Sequence, residues 1–200
     1  MARTIDPALN EKRRQQVLRA AAGCFAVRGF HQTTMQEIVA AAGISAGGLY
    51  RYYKTKDDIV VGIAEAEALE NAPLIEALER NQDPLAALEE ITPWILKAYD
   101  DPGYGRLAIE VLSEAGRNPR VAEILARNER ELRGALEQAL ARGQEQGLVD
   151  NTLSSKQQAR LVMALYGGLL AGDGSEARTK PSRLKAATVT LLRKFLSPPA

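Results

Sequence analysis

The segment from Thr33 to Lys56 constrains the fold more than any other part of this 200-residue chain. Within it, Thr34 and Glu37 have the spacing of a capping box, which satisfies free backbone amides at the start of a helix. Gly43 is typical of the left-handed residue that follows a helix end, and Ser45 can cap a second helix. The segment therefore predicts two short helices joined by a glycine turn.

Two short helices joined by a tight turn can cross steeply enough to place the second one in the major groove of DNA. Ile44 and Leu49 are predicted to anchor the second helix against the first. Gly47 and Gly48 each cost about 1 kcal/mol inside a helix relative to alanine, and DNA approaching the backbone closely would account for that cost. Geometry of this kind is shared by many proteins, so an ordinary helical hairpin with surface tyrosines stays open at this point.

The residues of this segment that remain available outside the hairpin have DNA-binding chemistry. Tyrosine hydroxyls and lysine ammonium groups reach phosphates, and arginine reaches either a phosphate or a base edge. The candidates for phosphate contact by this reasoning are Tyr50, Tyr52, Lys54 and Lys56, with Arg51 as the candidate for a base edge.

Charge is distributed unevenly along the chain. Residues 1–56 contain nine Lys and Arg against three Asp and Glu, whereas the remainder is acidic and brings the whole chain to a net charge of +1. A basic N-terminal quarter indicates a polyanionic partner at that end of the protein.

The rest of the chain is predicted to be helical. Alanine, leucine, glutamate, arginine and glutamine dominate, and 46% of the residues are hydrophobic, which is enough for a core. About nine helices are expected, with the first running from about Asn10 to Arg28. Pro73 and the stretch 81–84 are predicted to mark a boundary, Pro93 is a predicted kink, and 172–181 a loop. The last helix is predicted to turn Leu184, Ala187, Leu191 and Phe195 inward.

Enzymatic, metal-dependent and membrane-spanning classes are not favoured. His31 is the only histidine and Cys24 the only cysteine, so the chain lacks the ligands of a zinc site. The longest apolar stretch, 161–172, is about half of the roughly 20 residues that a membrane span needs. We expect no cofactor, no membrane association and a cytoplasmic location.

The N-terminal residues also match a known signature in order and spacing, over roughly residues 10 to 60. The matching positions are Arg14, Val17, Leu18, Ala20, Ala21, Phe25, Gly29, Phe30, Thr33, Thr34, Ile38, Ala40, Ala42, Gly43, Ile44, Ser45, Gly48, Leu49, Tyr50, Tyr52, Tyr53, Lys56 and Ile59. By these residues the chain resembles the TetR family of transcriptional regulators. Tyr53 departs from the commoner phenylalanine, and its hydroxyl needs a partner if it is buried.

The resemblance implies a homodimer that binds a palindromic double-stranded DNA operator and is released by a small-molecule effector. It also implies a helix-turn-helix domain over 1–56 and a helical effector-binding and dimerisation domain over 57–200. Residues implied to contact the DNA backbone are Thr33, Thr34, Tyr50, Tyr52 and Lys56. Residues implied to face the groove are Ser45, Ala46, Gly47, Gly48 and Arg51.

The C-terminal half offers candidates for the dimer interface and the effector pocket. Small residues one turn apart allow two helices to approach closely, and the resemblance suggests pairing of the last two helices with those of a second copy. The interface candidates are Ala164, Gly167, Gly168, Ala171, Leu184, Ala187, Leu191 and Phe195. The pocket candidates are Trp94, Tyr99, Tyr104, Leu107, Glu110, Val111, Asn128, Met163 and Tyr166, for which core packing is the alternative.

Two alternative functions stay open from the sequence. One is a helical effector-binding or interaction module without operator binding, and the other is an activator of the same family. The basic N-terminal stretch, with Tyr50 and Lys56 intact, argues against loss of DNA binding.

Overall fold

The computed structural model of the protein describes residues 7–99, 102–171 and 181–199. All regular secondary structure within these ranges is helical, which confirms the predicted all-α class. The nine helices found there are α1 (Pro7–Arg28), α2 (Met35–Ala42), α3 (Ala46–Tyr52), α4 (Lys56–Arg80), α5 (Pro84–Tyr99), α6 (Pro102–Ala115), α7 (Pro119–Glu145), α8 (Ser155–Ala171) and α9 (Pro181–Leu196). The loop predicted over 172–181 lies, apart from its last residue, outside the described residues.

The helices form two compact units. The N-terminal unit contains the described residues up to Glu67 together with Arg106–Ile124. The C-terminal unit contains Ala68–Gly105 and the described residues from Leu125 onward. Because α4, α6 and α7 each contribute residues to both units, the unit around the three N-terminal helices extends beyond residue 56. The predicted functional division at that residue stays a prediction.

In the N-terminal unit, α1 presents one apolar stripe to α2. Val17, Ala21 and Phe25 recur at four-residue spacing and are almost fully buried, as the period of an amphipathic helix requires. The helix begins at Pro7 rather than at the predicted Asn10, since proline fits the first helical position, where no internal amide bond is needed. It ends where Gly29 takes a left-handed φ of 78°.

The predicted boundary at Pro73 is wrong, because α4 continues through this residue to Arg80. Proline removes one backbone hydrogen bond from a helix interior and frees the carbonyl four residues earlier, here that of Leu69. Pro73 and Leu69 are both exposed, so water can hydrate that carbonyl. Pro93 lies inside α5, which runs from Pro84 to Tyr99, and the predicted kink at this residue stays a prediction.

The C-terminal unit has its own hydrophobic core, in which α5 packs against α8 and α9. Its most deeply buried leucines include Leu88, Leu140 and Leu196. The close approach of α7 to the start of α5 depends on Gly143, where an added Cβ would lie 2.5 Å from Cγ of Pro84. A side chain at that position would force two elements of the core apart.

The buried stripe of α9 differs from the predicted one. Thr188, Leu192 and Leu196 are buried at four-residue spacing, whereas Ala187 and Leu191, predicted to point inward, are exposed, and Leu184 and Phe195 are half-buried. Both stripes satisfy the helical period, and the sequence does not distinguish a core face from an apolar face that is left outside. The exposed stripe is therefore available to a partner.

Candidate nucleic-acid interface

The predicted capping box fixes the start of α2. The Thr34 hydroxyl accepts from the amide of Glu37 at 3.2 Å, and the Glu37 carboxylate accepts from the amide of Thr34 at 2.7 Å. At the other end, Gly43 takes a φ of 62°, a left-handed conformation that glycine adopts without steric cost. These features confirm the helix–glycine turn–helix pattern derived from the sequence.

A helix cap and buried side chains fix the position of α3 within the protein. Ser45 caps the helix by accepting from the amide of Gly48 at 3.1 Å. Leu49 is fully buried and Tyr53 is 5% exposed, so these two residues hold α3 on its neighbours. On the opposite side of α3, Ala46, Gly47, Tyr50 and Arg51 are exposed, whereas Gly48 and Tyr52, also predicted to face outward, are half-buried.

Packing within the protein does not account for glycine at position 47. A Cβ built on Gly47 meets nothing within 4 Å, and its φ is not positive. Gly48 differs, because a Cβ there would lie 3.2 Å from Oγ of the capping residue Ser45. Gly47 is an exposed helical glycine that the fold itself does not require, although glycine in a helix costs about 1 kcal/mol relative to alanine.

The buried hydroxyl of Tyr53 has the partner that its burial demands. It accepts from Nε of Arg14 at 3.0 Å, and another nitrogen of the same guanidinium pairs with Glu65 at 3.0 Å. Burial raises the pKa of Tyr53, and the hydrogen bond to Tyr53 raises the pKa of Arg14. Arg14, a half-buried cation of α1, is therefore engaged in contacts within the N-terminal unit.

Two residues implied to contact the DNA backbone also hold the protein together. The Thr33 side chain is buried, and its hydroxyl donates to the carbonyl of Gly29 at 2.8 Å. Lys56 donates from Nζ to the carbonyl of Phe30 at 2.6 Å. Lys54, by contrast, is exposed. The cations and hydroxyls of the candidate interface thus divide into exposed groups and groups that fix the turn between α1 and α2.

A contact that the sequence did not reveal holds α1 to the end of α2. Nε2 of Gln16 donates to the carbonyl of Ala42 at 2.7 Å, immediately before the glycine turn. A glutamine that caps a distant carbonyl carries no local signal, because its spacing to the partner is set only by the fold. Three further cations of α1, Lys12, Arg13 and Arg19, are exposed.

The predicted pocket residues belong to both compact units. Leu107, Glu110 and Val111 lie in the N-terminal unit, whereas the other pocket candidates lie in the C-terminal unit. The carboxylate of Glu110 accepts a hydrogen bond from the backbone amide of Phe30. Glu110 is therefore bonded to the turn after α1, within the N-terminal unit.

Among the C-terminal pocket candidates, burial differs widely. Tyr166 is 6% exposed and its hydroxyl lies 2.7 Å from that of Thr92. Burial raises the pKa of Tyr166 to about 12. Asn128 is also buried, Met163 and Tyr104 are half-buried, and Trp94 is 53% exposed. The side chain of Tyr99 lies outside the described residues.

Several of the predicted dimer residues are exposed, some on α8 and others on α9. Ala164, Gly167 and Gly168 are exposed on α8, where Leu161 is also 51% exposed. On α9, Ala187 is exposed and Leu191 is 51% exposed. The side chain of Ala171 lies outside the described residues.

No helix within the described ranges has the length and apolarity to cross a membrane. In the same ranges, no group of three or more His, Cys, Asp and Glu side chains is placed to hold a metal ion.

Two family models match the chain. Residues 17–63 match the N-terminal domain of bacterial regulatory proteins of the TetR family. Residues 84–197, more than half of the chain, match the C-terminal region of BetI-type transcriptional repressors.

Individual relatives span most of the chain. The transcriptional regulator UidR of Escherichia coli K12 is 27% identical over 170 residues, which cover 82% of each protein. The structure of Salmonella enterica GusR has a TM-score of 0.70 and 26% identity, covering 96% of this chain and 98% of that one. A transcriptional regulator from Saccharomonospora viridis, solved in complex with choline, has a TM-score of 0.78 at 17% identity and shares the fold.

Proposed function

We propose, since the chain belongs to the TetR family of bacterial regulatory proteins, that it is a repressor that binds a palindromic operator as a homodimer and leaves it when a small-molecule effector binds. The family consists of transcriptional regulators rather than enzymes. The operator, the dimer and the effector are the parts of this function that we propose for this chain.

One observation carries the proposal most strongly: α3 is capped and anchored on one side and exposed on the other. Ser45 and Leu49 fix its position, while Gly47, Tyr50 and Arg51 remain accessible. A short recognition helix needs this division, because it must be rigid toward the protein and open toward the base edges.

Exposed apolar residues on α8 and on α9 support the proposed homodimer. Leu161 and Leu191 are each 51% exposed, and the small residues around them allow close approach of a second copy. A two-fold dimer places two recognition helices about 34–36 Å apart, one turn of DNA, which matches the symmetry of a palindrome. Ala164→Glu should halve the mass in solution, whereas Gln138→Glu, at an exposed position on α7, should leave it unchanged.

The proposed effector site lies in the C-terminal unit, where Tyr166, Asn128 and Met163 supply polar and apolar groups. We propose that effector binding shifts α5–α7 and moves α4, which changes the separation of the two recognition helices. A coupling free energy of about 1–3 kcal/mol suffices for roughly 5- to 150-fold relief of repression. An effector that abolishes DNA binding while α4 and that separation stay unchanged would refute this hinge mechanism.

Selection of DNA fragments by the purified protein tests the operator proposal. Sequencing of the bound fraction should yield an inverted repeat whose half-sites are one helical turn or a multiple of it apart. Enrichment without a shared sequence would favour a helical effector-binding module instead. If an inverted repeat is recovered, deletion of the gene should raise transcription from that promoter, and a fall in transcription would identify an activator.

A further inference from the structure

At the turn after α1, the backbone amide of Phe30 bonds to a partner outside that helix. The amide of Gly29 bonds to the carbonyl of Phe25 at 2.8 Å, which is the single bond of a simple left-handed helix ending. In the alternative ending, the amide of the next residue, Phe30, would also bond back to the helix. Here it donates instead to the carboxylate of Glu110 on α6 at 2.7 Å.

The carbonyl side of the same residue is held from α4. Nζ of Lys56 donates to the carbonyl of Phe30 at 2.6 Å and to that of His31 at 3.2 Å. The ammonium group also lies 4.6 Å from the centroid of the Phe30 ring, which packs on Phe25 with a centroid distance of 5.4 Å. Charged groups from two helices therefore hold the backbone of one turn residue on both sides.

Neighbouring contacts place the end of α6 at the same turn. Glu114, buried on α6, lies 3.3 Å from Nε2 of His31 and 3.0 Å from a guanidinium nitrogen of Arg117. An added Cβ at Gly29 would lie 3.3 Å from Oε1 of Glu110, so the carboxylate sits directly against the glycine backbone. A carboxylate near the C-terminus of α1 is disfavoured by the helix dipole, and the hydrogen bond from Phe30 offsets that cost.

We infer that Glu110 is a positioning residue for operator binding, because it fixes the turn from which the helix-turn-helix starts. The turn leads directly to Thr33 and to the cap of α2 at Thr34, so a change at Phe30 displaces the first helix of the motif. The inference rests on the proposed function only in taking operator binding as the property that is measured. Glu110 lies outside the residues 10–60 that resemble the family signature. The proposed positioning role does not require the Glu110 side chain to contact DNA.

Three variants of the full-length protein test the inference. Glu110→Leu removes the acceptor, Glu110→Gln keeps an oxygen acceptor without charge, and Glu123→Leu is a control at an exposed position in the same compact unit. Operator affinity, affinity for unrelated DNA and hydrogen exchange of the Phe30 amide are measured for each. We expect Glu110→Leu to lose at least about tenfold in operator affinity, because the loss of one hydrogen bond to a charged group corresponds to roughly tenfold or more in an equilibrium constant. Glu110→Gln should recover most of the affinity, and Glu123→Leu should match the wild type.

Selectivity separates positioning from a general loss of structure. In the Glu110→Leu variant, the Phe30 amide hydrogen should exchange with solvent faster than in the wild type. Amides of α8 should stay protected, and the affinity for unrelated DNA should be unchanged. Wild-type operator affinity in Glu110→Leu, together with fast exchange at Phe30, would overturn the inference. If the leucine variant does not fold, Glu110→Ala, which also removes the acceptor, decides: faster exchange of the Phe30 amide with a loss of operator affinity supports the inference, and unchanged operator affinity overturns it. A wild-type protein that binds no operator would refute the proposed function instead.

Discussion

Nε of Arg14 donates a hydrogen bond to the phenolic oxygen of Tyr53 at 3.0 Å. This contact joins α1 to the residue that caps the end of α3. The same guanidinium reaches Glu65 on α4, so one side chain links α1, the end of α3 and α4 within the N-terminal unit. The tyrosine that departs from the family's commoner phenylalanine is thereby integrated into the fold.

Tyr53→Phe should lower the free energy of unfolding by about 1 kcal/mol, the net contribution of one such hydrogen bond. Arg14 keeps Glu65 as a partner, which limits the cost. Urea denaturation of the two proteins measures the difference, and Tyr50→Phe, at an exposed tyrosine, serves as the matched control. Equal destabilisation by both substitutions would show that the contact with Arg14 contributes nothing specific.

Stability should fall at alkaline pH because of Tyr166. Burial raises its pKa to about 12 in the folded protein, whereas an unfolded tyrosine ionises near pH 10. The unfolded state therefore loses its proton first, so the stabilisation is complete below pH 10 and is lost as pH rises toward 12. A shift of this size corresponds to about 2–3 kcal/mol. The difference in unfolding free energy between wild type and Tyr166→Phe should change over this range, and a constant difference would contradict the assignment.

Gly47→Ala should stabilise the protein and weaken operator binding. A Cβ at this position meets no atom of the protein within 4 Å, and alanine is better than glycine in a helix by about 1 kcal/mol. A methyl group inserted into a well-packed interface costs about 1–3 kcal/mol, so operator affinity should fall by roughly tenfold. Thermal unfolding and operator titration measure the two effects.

Gly23→Ala is the matched control for that substitution. Gly23 is also an exposed helical glycine whose added Cβ meets nothing within 4 Å, but it lies on α1. It should gain the same stability without losing affinity. Equal operator affinity in both variants would mean that DNA does not approach Gly47 closely.

Lys54→Ala and Lys56→Ala should differ in their effect on protein stability, but neither should change the preference for one operator sequence over another. Both substitutions should weaken binding to all sequences alike, and loss of one phosphate contact lowers the slope of log affinity against log salt by about one. Lys56→Ala should in addition destabilise the protein, because Nζ of Lys56 holds two carbonyls of the α1–α2 turn. An unchanged salt slope in Lys56→Ala would restrict this residue to its role within the protein.

Arg51→Ala should relax the preference among operator variants, since its exposed guanidinium can reach a base edge. Discrimination at one base pair should fall by about 1–3 kcal/mol. Affinities for a set of single-base operator variants measure it. A uniform loss on every variant would assign Arg51 to the DNA backbone.

Local signals in the sequence were sufficient to predict α2, α3 and the glycine turn between them. Thr34, Gly43 and Ser45 act on backbone groups within a few residues of themselves, so their pattern predicts caps and turns directly. The departure at Tyr53 similarly predicted a partner for its hydroxyl, although the sequence did not identify Arg14.

Contacts between distant residues were not predictable in the same way. Glu110 was predicted to line the pocket because it has helical spacing from Leu107 and Val111. Nothing in the sequence around Glu110 indicates its hydrogen bond to Phe30, which lies 80 residues earlier. On α9 the period fitted two adjacent stripes, and only packing shows that Leu192 is buried while Leu191 is exposed. Pro73 shows that an exposed helix can accommodate a residue that usually ends one.

Binding of the purified protein to the DNA upstream of its own gene, titrated with salt, tests the central claim most directly. The proposal predicts tight binding to a protected inverted repeat, with affinity that falls linearly in logarithmic terms as salt rises and with far weaker binding to unrelated DNA. Weak binding that is the same for all sequences, here and on fragments selected from the whole genome, would contradict the claim that this chain is an operator-binding repressor.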